Sequence, residues 1–184
     1  MYTFEEWKKN LIIVRGGGDI ATGTIYKLYQ SRFSVLVLEI ANPSCIRRTI
    51  SFCEAVFDKK VEVEGVTAKR AESLEDAFAI YGQGQIPVMI DENGSMIQEV
   101  QPPVVVDAIL AKRNLGTKIT DAPAVIGVGP GFCAGKDVDA VIETQRGHNL
   151  GRVIYEGEAA PNTGIPGMIG GYAKERVIHA PATG

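Results

Sequence analysis

The chain has 184 residues, 45% of them apolar and 22% charged, with a net charge of -3 and a pI near 5.5. That supplies one ordinary core and argues against disorder, while the acidic balance and scattered basic residues exclude a broad field for nucleic acid or an anionic membrane. No apolar run reaches the roughly twenty residues that span a bilayer, and residues 1–10 mix Glu5, Glu6, Lys8 and Lys9 instead of building a signal peptide, so the reading is a cytoplasmic protein.

The first predicted element is a strand, Leu11-Ile12-Ile13-Val14, and the glycines Gly16-Gly17-Gly18 follow it directly. A helix over 19–31, with Ile20, Ile25 and Leu28 at helical spacing, comes next, and a second strand, Ser34-Val35-Leu36-Val37-Leu38, closes on Glu39. Gly16-x-Gly18-x-x-Ala21 between strand and helix is the spacing of a dinucleotide-binding turn, in the variant with alanine last. The first glycine permits the turn, the second admits a pyrophosphate to the backbone, and Ala21 lets the helix lie close to its strand. Gly17 and Asp19 complete the expected cofactor-binding set at the helix N-terminus, where free N–H groups and the dipole favour negative charge. Glu39 is placed to hold ribose hydroxyls and to repel a 2′-phosphate, while Arg47 and Arg48 behind it offer the opposite preference, so NAD-like and NADP-like ligands both stand.

Ser44 reads as the N-cap of a helix in which Ile46, Ile50, Cys53 and Phe57 recur at helical intervals. Residues 61–68 alternate as one half-exposed strand, and Ser73 caps a helix with Leu74, Ala77, Phe78 and Tyr81 on one face, ending at Gly82. Three short apolar runs, 86–90, 104–108 and 124–128, have the character of interior parallel strands, with a short helix expected over 109–114. Residues 138–143 and 152–155 read as two strands of a hairpin. Together these elements predict an α/β fold, a Rossmann-like doubly wound and mostly parallel sheet, with a Gly/Pro-rich β extension at the C-terminus. The expected boundary puts a dinucleotide-binding domain at 1–145 and the extension at 146–184.

Several further residues carry chemistry. Cys45, Cys53 and Cys133 lack any C-x-x-C pairing, so neither a disulfide framework nor a zinc knuckle is indicated, and no metal site is expected. Cys45, at the expected helix start, is the thiol whose acidity a dipole would raise. Asp107, at the end of an interior strand where ligands gather, is a candidate acid-base group; its plainer role is to cap the segment after it. Glu143-Thr144-Gln145-Arg146-Gly147-His148-Asn149 is the densest polar stretch: Arg146 could grip an anion, His148 could move a proton near neutral pH, and Glu143 or Asp137 could orient either. The plain alternative is an exposed hairpin loop. His179, without acids or cysteines nearby, reads as structural. Gly131-Phe132-Cys133-Ala134-Gly135-Lys136-Asp137 misses Walker spacing and puts a carboxylate where Ser or Thr should hold magnesium.

Four blocks, Arg15-Gly16-Gly17-Gly18-Asp19-Ile20-Ala21-Thr22-Gly23, Leu38-Glu39-Ile40-Ala41-Asn42-Pro43-Ser44-Cys45-Ile46-Arg47-Arg48, Gly129-Pro130-Gly131-Phe132 and Glu143-Thr144-Gln145-Arg146-Gly147-His148-Asn149-Leu150-Gly151, together resemble the YqeB-type accessory family of selenium-dependent molybdenum hydroxylases. The resemblance covers essentially the whole chain and implies a maturation role, helping an apo molybdenum hydroxylase of the xanthine-dehydrogenase type receive labile selenium or its molybdenum cofactor. It also implies that the bound dinucleotide is either NAD(P) or a molybdopterin dinucleotide, handed over with the help of Cys45 or the Arg146/His148 loop. Members of that family continue past the stretch matching 176–184 into a small β-rich domain, so the resemblance implies a fragment or a truncated member. A homo-oligomer is compatible with all of this. Two other readings stand beside it. One is an NAD(P)-dependent oxidoreductase similar to precorrin-2 dehydrogenases in its glycine turn, with Asp107 or His148 as acid-base group. The other is a nonenzymatic nucleotide sensor.

Overall fold

The computed structural model describes residues 2–182; Met1 and positions 183–184, the last of the family-like C-terminal stretch, lie outside the described residues. The elements run α1 (Phe4–Lys9), β1 (Leu11–Arg15), α2 (Asp19–Gln30), β2 (Ser34–Glu39), α3 (Ala55–Asp58), β3 (Lys60–Val63), β4 (Val66–Ala71), α4 (Leu74–Gly82), β5 (Ile86–Ile90), α5 (Ser95–Val100), β6 (Val104–Asp107), β7 (Ala124–Val128), β8 (Cys133–Ala134), β9 (Ala140–Ile142), β10 (Val153–Ile154) and β11 (Gly157–Glu158). Nine strands form one sheet in the order β10-β9-β7-β6-β1-β2-β5-β4-β3. Pairings are parallel from β9 across to β4, and the two edge pairings are antiparallel. This is the α/β, mostly parallel sheet that the alternation of short apolar runs and helical segments predicts.

All five residues of β1 are buried, as a central strand covered on both faces requires. Period-two alternation sends Leu11 and Ile13 to one core, with Trp7, Leu74, Ala77, Ile80 and Ile97. Ile12 and Val14 go to the other, with Ala21, Ile25, Phe52, Ala55 and Val56. From β1 the chain moves to β2 and then to β4 and β5 on one side, and it returns across the sheet to β6 on the other. The switch point of the winding therefore lies between the carboxyl ends of β1 and β6, where open α/β sheets place their ligands.

Three expected elements differ. The segment after Ser44 is not one helix: it forms 3-10 turns at Arg48–Ile50 and Phe52–Glu54 before the single turn of α3. Ser51 Oγ donates to Arg47 O, and Phe52 N–H donates to Thr22 Oγ1, so local side-chain bonds draw the backbone out of a helical ladder. Residues 61–68 are not one strand, because Glu64 (φ 50°) and Gly65 (φ 75°) turn the chain into the β3–β4 hairpin. Residues 109–114 form no helix. Asp107 Oδ1 takes the Ile109 N–H, and Asn114 Oδ1 takes those of Gly116 and Thr117, which fixes an irregular loop instead. The extension beyond 145 adds β10 to the main sheet and pairs β11 with β8; His179, expected to be structural, is exposed.

Candidate functional site

The turn after β1 is built from three glycines with three different jobs. Gly16 sits at φ 92°, and a Cβ there would lie 3.0 Å from Ala108 O and Ile109 Cα, so glycine lets the turn meet the chain leaving β6. Its N–H donates to Leu38 O at 2.8 Å. Gly17 is gripped from both ends: its N–H donates to Glu39 Oε2 at 2.8 Å, and its carbonyl accepts from Cys53 N–H at 2.8 Å and Thr22 Oγ1 at 3.1 Å. A Cβ on Gly17 would come within 3.0 Å of Cys53 N. Gly18 differs from both, with φ -64°, ψ 177° and no atom within 4 Å of an added Cβ.

Gly18 is the N-cap of α2, and no side chain caps that end. The N–H groups of Gly16 and Gly17 are spent inside the protein, which leaves the first-turn donors of α2, beginning at Asp19, to face a ligand. Ala21 is fully buried, as close packing of α2 on β1 demands. Asp19 would oppose an anion there, but Arg47 Nε holds its carboxylate at 2.5 Å.

These residues wall a cleft of about 770 Å³ at the switch point, formed by Gly16, Gly18, Asp19 and Ile20, by Glu39, Pro43, Cys45, Arg47 and Cys53, and by Ala108, Ile109, Leu110 and Lys112. Glu39 Oε1 accepts from Ile40 N–H and Oε2 from Gly17 N–H, each at 2.8 Å. Burial raises its pKa above the ordinary carboxylate value, and those two N–H donors only partly offset the shift. A carboxylate has about four acceptor positions, so two remain for hydroxyl donors. The two arginines that the sequence offers for a 2′-phosphate are both engaged, Arg47 by Asp19 and Arg48 by Glu54 at 2.6 Å.

The thiols differ in character. Cys45 is half-buried on the cleft wall, 2.8 Å from Ser51 Oγ, and the segment that carries it is not a helix start, so no dipole acts on it. Cys53 is fully buried, and its thiol is pushed up to about 12, first by burial and then by the neighbouring Cys45, Glu39 and Glu54.

Asp107 lies outside the cleft lining, only 1% exposed. Arg15 and Asp107 are register partners on adjacent strands, and their side chains meet at 3.4 Å. The Thr117 hydroxyl accepts from Arg15 Nη1 and donates to Asp107 Oδ2, both at 2.5 Å, closing a buried triad at the carboxyl ends of β1 and β6. A charged residue ending an otherwise apolar run was the available sign of this triad, whereas nothing in the sequence marked Thr117.

Arg146 and His148 are both exposed, and Arg146 lines a second cleft of about 510 Å³ that shares Ile20, Leu110 and Lys112 with the first. His148 lines neither, and Cys45 lines only the first. Glu143 is 6% exposed and accepts from Gln145 N–H at 2.7 Å and Ala160 N–H at 2.8 Å. Burial pushes its carboxyl upward, and the backbone donors of Ala160, Gln145 and Thr144 outweigh that, holding it below the usual range. Lys112, on the shared wall, carried no motif that could have singled it out.

Among the described residues no helix is long and apolar enough to cross a membrane. No family model matches the chain, and no solved structure matches it. Among curated proteins it is similar to "Uncharacterized protein YqeB" of Escherichia coli (strain K12), with 53% identity over 174 residues, 95% of this chain and 32% of that protein. The chain thus spans about a third of the length of the curated relative it matches. Over that third the chain is a homologue of YqeB, which supports a YqeB-type family as its place among known proteins.

Proposed function

We propose that the chain binds a dinucleotide at the switch-point cleft, its diphosphate on the first turn of α2 and a nucleoside ribose on Glu39, and that it serves as an accessory protein in the maturation of a molybdenum hydroxylase. Gly18 carries the first half of this reading. Its backbone angles suit any residue and its α-carbon faces open space, so neither backbone strain nor a close neighbour demands glycine there, whereas a phosphate approaching the main chain does. The free acceptor positions of Glu39 and the engagement of Arg47 and Arg48 favour a ribose bearing a free 2′-hydroxyl over one bearing a 2′-phosphate. NAD and a molybdopterin dinucleotide both meet that requirement. The maturation role rests on the resemblance of the four sequence blocks, and Cys45, on the cleft wall, is the thiol that would meet a transferred group.

Native mass spectrometry of the purified chain tests the binding step. A retained mass matching a dinucleotide, absent from Gly18→Val, is expected; retention of the same mass by Gly18→Val would refute the assigned position. Co-expression with a molybdenum hydroxylase tests the second step, with hydroxylase activity expected to depend on an intact Gly18.

A further inference from the structure

The cleft lined by Arg146 has a composition that the dinucleotide reading does not use. Its polar lining is Lys112, Thr144, Gln145, Arg146, Asn162 and Thr163, with no Asp or Glu among the lining residues. Neither Lys112 nor Arg146 makes an ion pair among the described residues, although the protein as a whole carries a net charge of -3. Two uncompensated cations facing one concave volume of about 510 Å³, beside amide and hydroxyl groups, form a receptor for an oxyanion.

The walls are also built to hold this arrangement. Glu143 is buried and fixes one wall through Gln145 N–H and the other through Ala160 N–H, so its own charge is spent on the backbone. Gly129 (φ 83°) and Gly131 (φ 111°) let the turn after β7 receive the loop that carries Lys112. A Cβ on Gly131 would lie 2.6 Å from Arg113 N and Cα, and one on Gly129 would lie 2.7 Å from Leu110 Cδ2 and 3.0 Å from Thr144 Oγ1. The Gly129-Pro130-Gly131 sequence therefore lets the loop that carries Lys112 pack against the turn after β7, in the same cleft wall system as Arg146.

We infer that this second cleft is an anion site, taking a small phosphate- or carboxylate-bearing molecule between Arg146 and Lys112, next to the dinucleotide cleft and continuous with it through Ile20, Leu110 and Lys112. The site stands on its own charges and walls, and it goes beyond the dinucleotide reading without depending on it. Its place beside the switch point puts a bound anion within reach of whatever occupies the first cleft.

The test is titration of the full chain at low ionic strength with inorganic phosphate and, separately, with malonate, followed by amide NMR shifts of Gln145 and Asn162. Saturable shifts are expected. Arg146→Gln and Lys112→Gln should each weaken the affinity at least about tenfold, the loss of one charge-assisted hydrogen bond, while Lys136→Gln, an exposed cation outside the cleft lining, should leave it unchanged. Whichever of phosphate or malonate binds more tightly identifies the oxyanion class. Gly18→Val should retain these shifts while losing ADP-ribose binding, so failure of the dinucleotide reading and failure of this one are separable. Absence of saturable binding by either anion, or equal weakening by Lys136→Gln, would overturn the inference.

Discussion

Replacing Gly18 by valine separates what the fold requires from what a ligand requires. Two opposed terms act on stability. A side chain at φ -64° reduces the freedom of the unfolded chain, worth about 0.4–1 kcal/mol for alanine. Glycine is the better N-cap, and losing it costs on the order of 0.5–1 kcal/mol. With no atom within 4 Å of the new Cβ there is no steric term, so the net change should stay within about 1 kcal/mol, a shift of roughly 2–4 °C in Tm for a domain of this size. Binding should respond far more. Two charge-assisted hydrogen bonds to phosphate are worth roughly 3–6 kcal/mol, so valine methyls that keep the diphosphate off the α2 turn should cost at least about a hundredfold in affinity. Gly16→Ala is the counter-case, because it places a Cβ 3.0 Å from Ala108 O at φ 92°, and roughly 1–3 kcal/mol of strain should appear in the melting curve itself. Thermal unfolding and calorimetric titration with ADP-ribose read both effects. Binding by Gly18→Val within threefold of the parent would refute the reasoning, and so would a Tm drop as large as that of Gly16→Ala.

Asp107→Asn should destabilise the chain by roughly 3–5 kcal/mol, because Arg15 is left buried without its counter-charge; urea unfolding measures this, and a loss below about 1 kcal/mol would show that the triad is not structural. The lowered pKa of Glu143 means that the unfolded state binds its proton more readily, so the stability it supplies is complete above its ordinary value of 4.5 and is lost as pH falls through the folded value. The stability gap between the parent and Glu143→Gln should therefore be widest near neutral pH and narrow as pH falls below 4.5, whereas a constant gap would contradict the assignment. Alkylation at pH 8 followed by mass mapping should leave Cys53 unmodified while Cys45 and Cys133 react. A thiol near 12 holds only about one thiolate in ten thousand there, and it is buried besides.

The architecture was legible where apolar period and glycine chemistry agreed. β1, α2, β2, β5 and β7 stand where the buried runs and helical spacing put them, because a central parallel strand has to be apolar on both faces. α1 went unpredicted, although the capping box joining Thr3 and Glu6 at its start is a local feature of the chain. The site was legible only in part. Gly16, Gly18 and Glu39 do line one cleft, but the amides of Gly16 and Gly17 are taken by Leu38 and Glu39, acceptors that only the fold brings near. Helical spacing at Ile46, Ile50, Cys53 and Phe57 misled because polar bonds from Ser51 and Thr22 decide that backbone, and Ile46 is left 96% exposed. Lys112 and Thr117 acquire their positions from a loop with no periodic signal, so nothing in the order of residues could have nominated them.

The peptide unit of Gly17 is tied to Glu39 on one side and to Cys53 and Thr22 on the other, which makes the bend after β1 a preorganised surface. A guest arriving there meets a geometry already fixed and surrenders no chain entropy to organise it. Affinity at this bend should therefore be governed by desolvation and fit, and whatever closing motion the molecule possesses must be sought in the loops facing it.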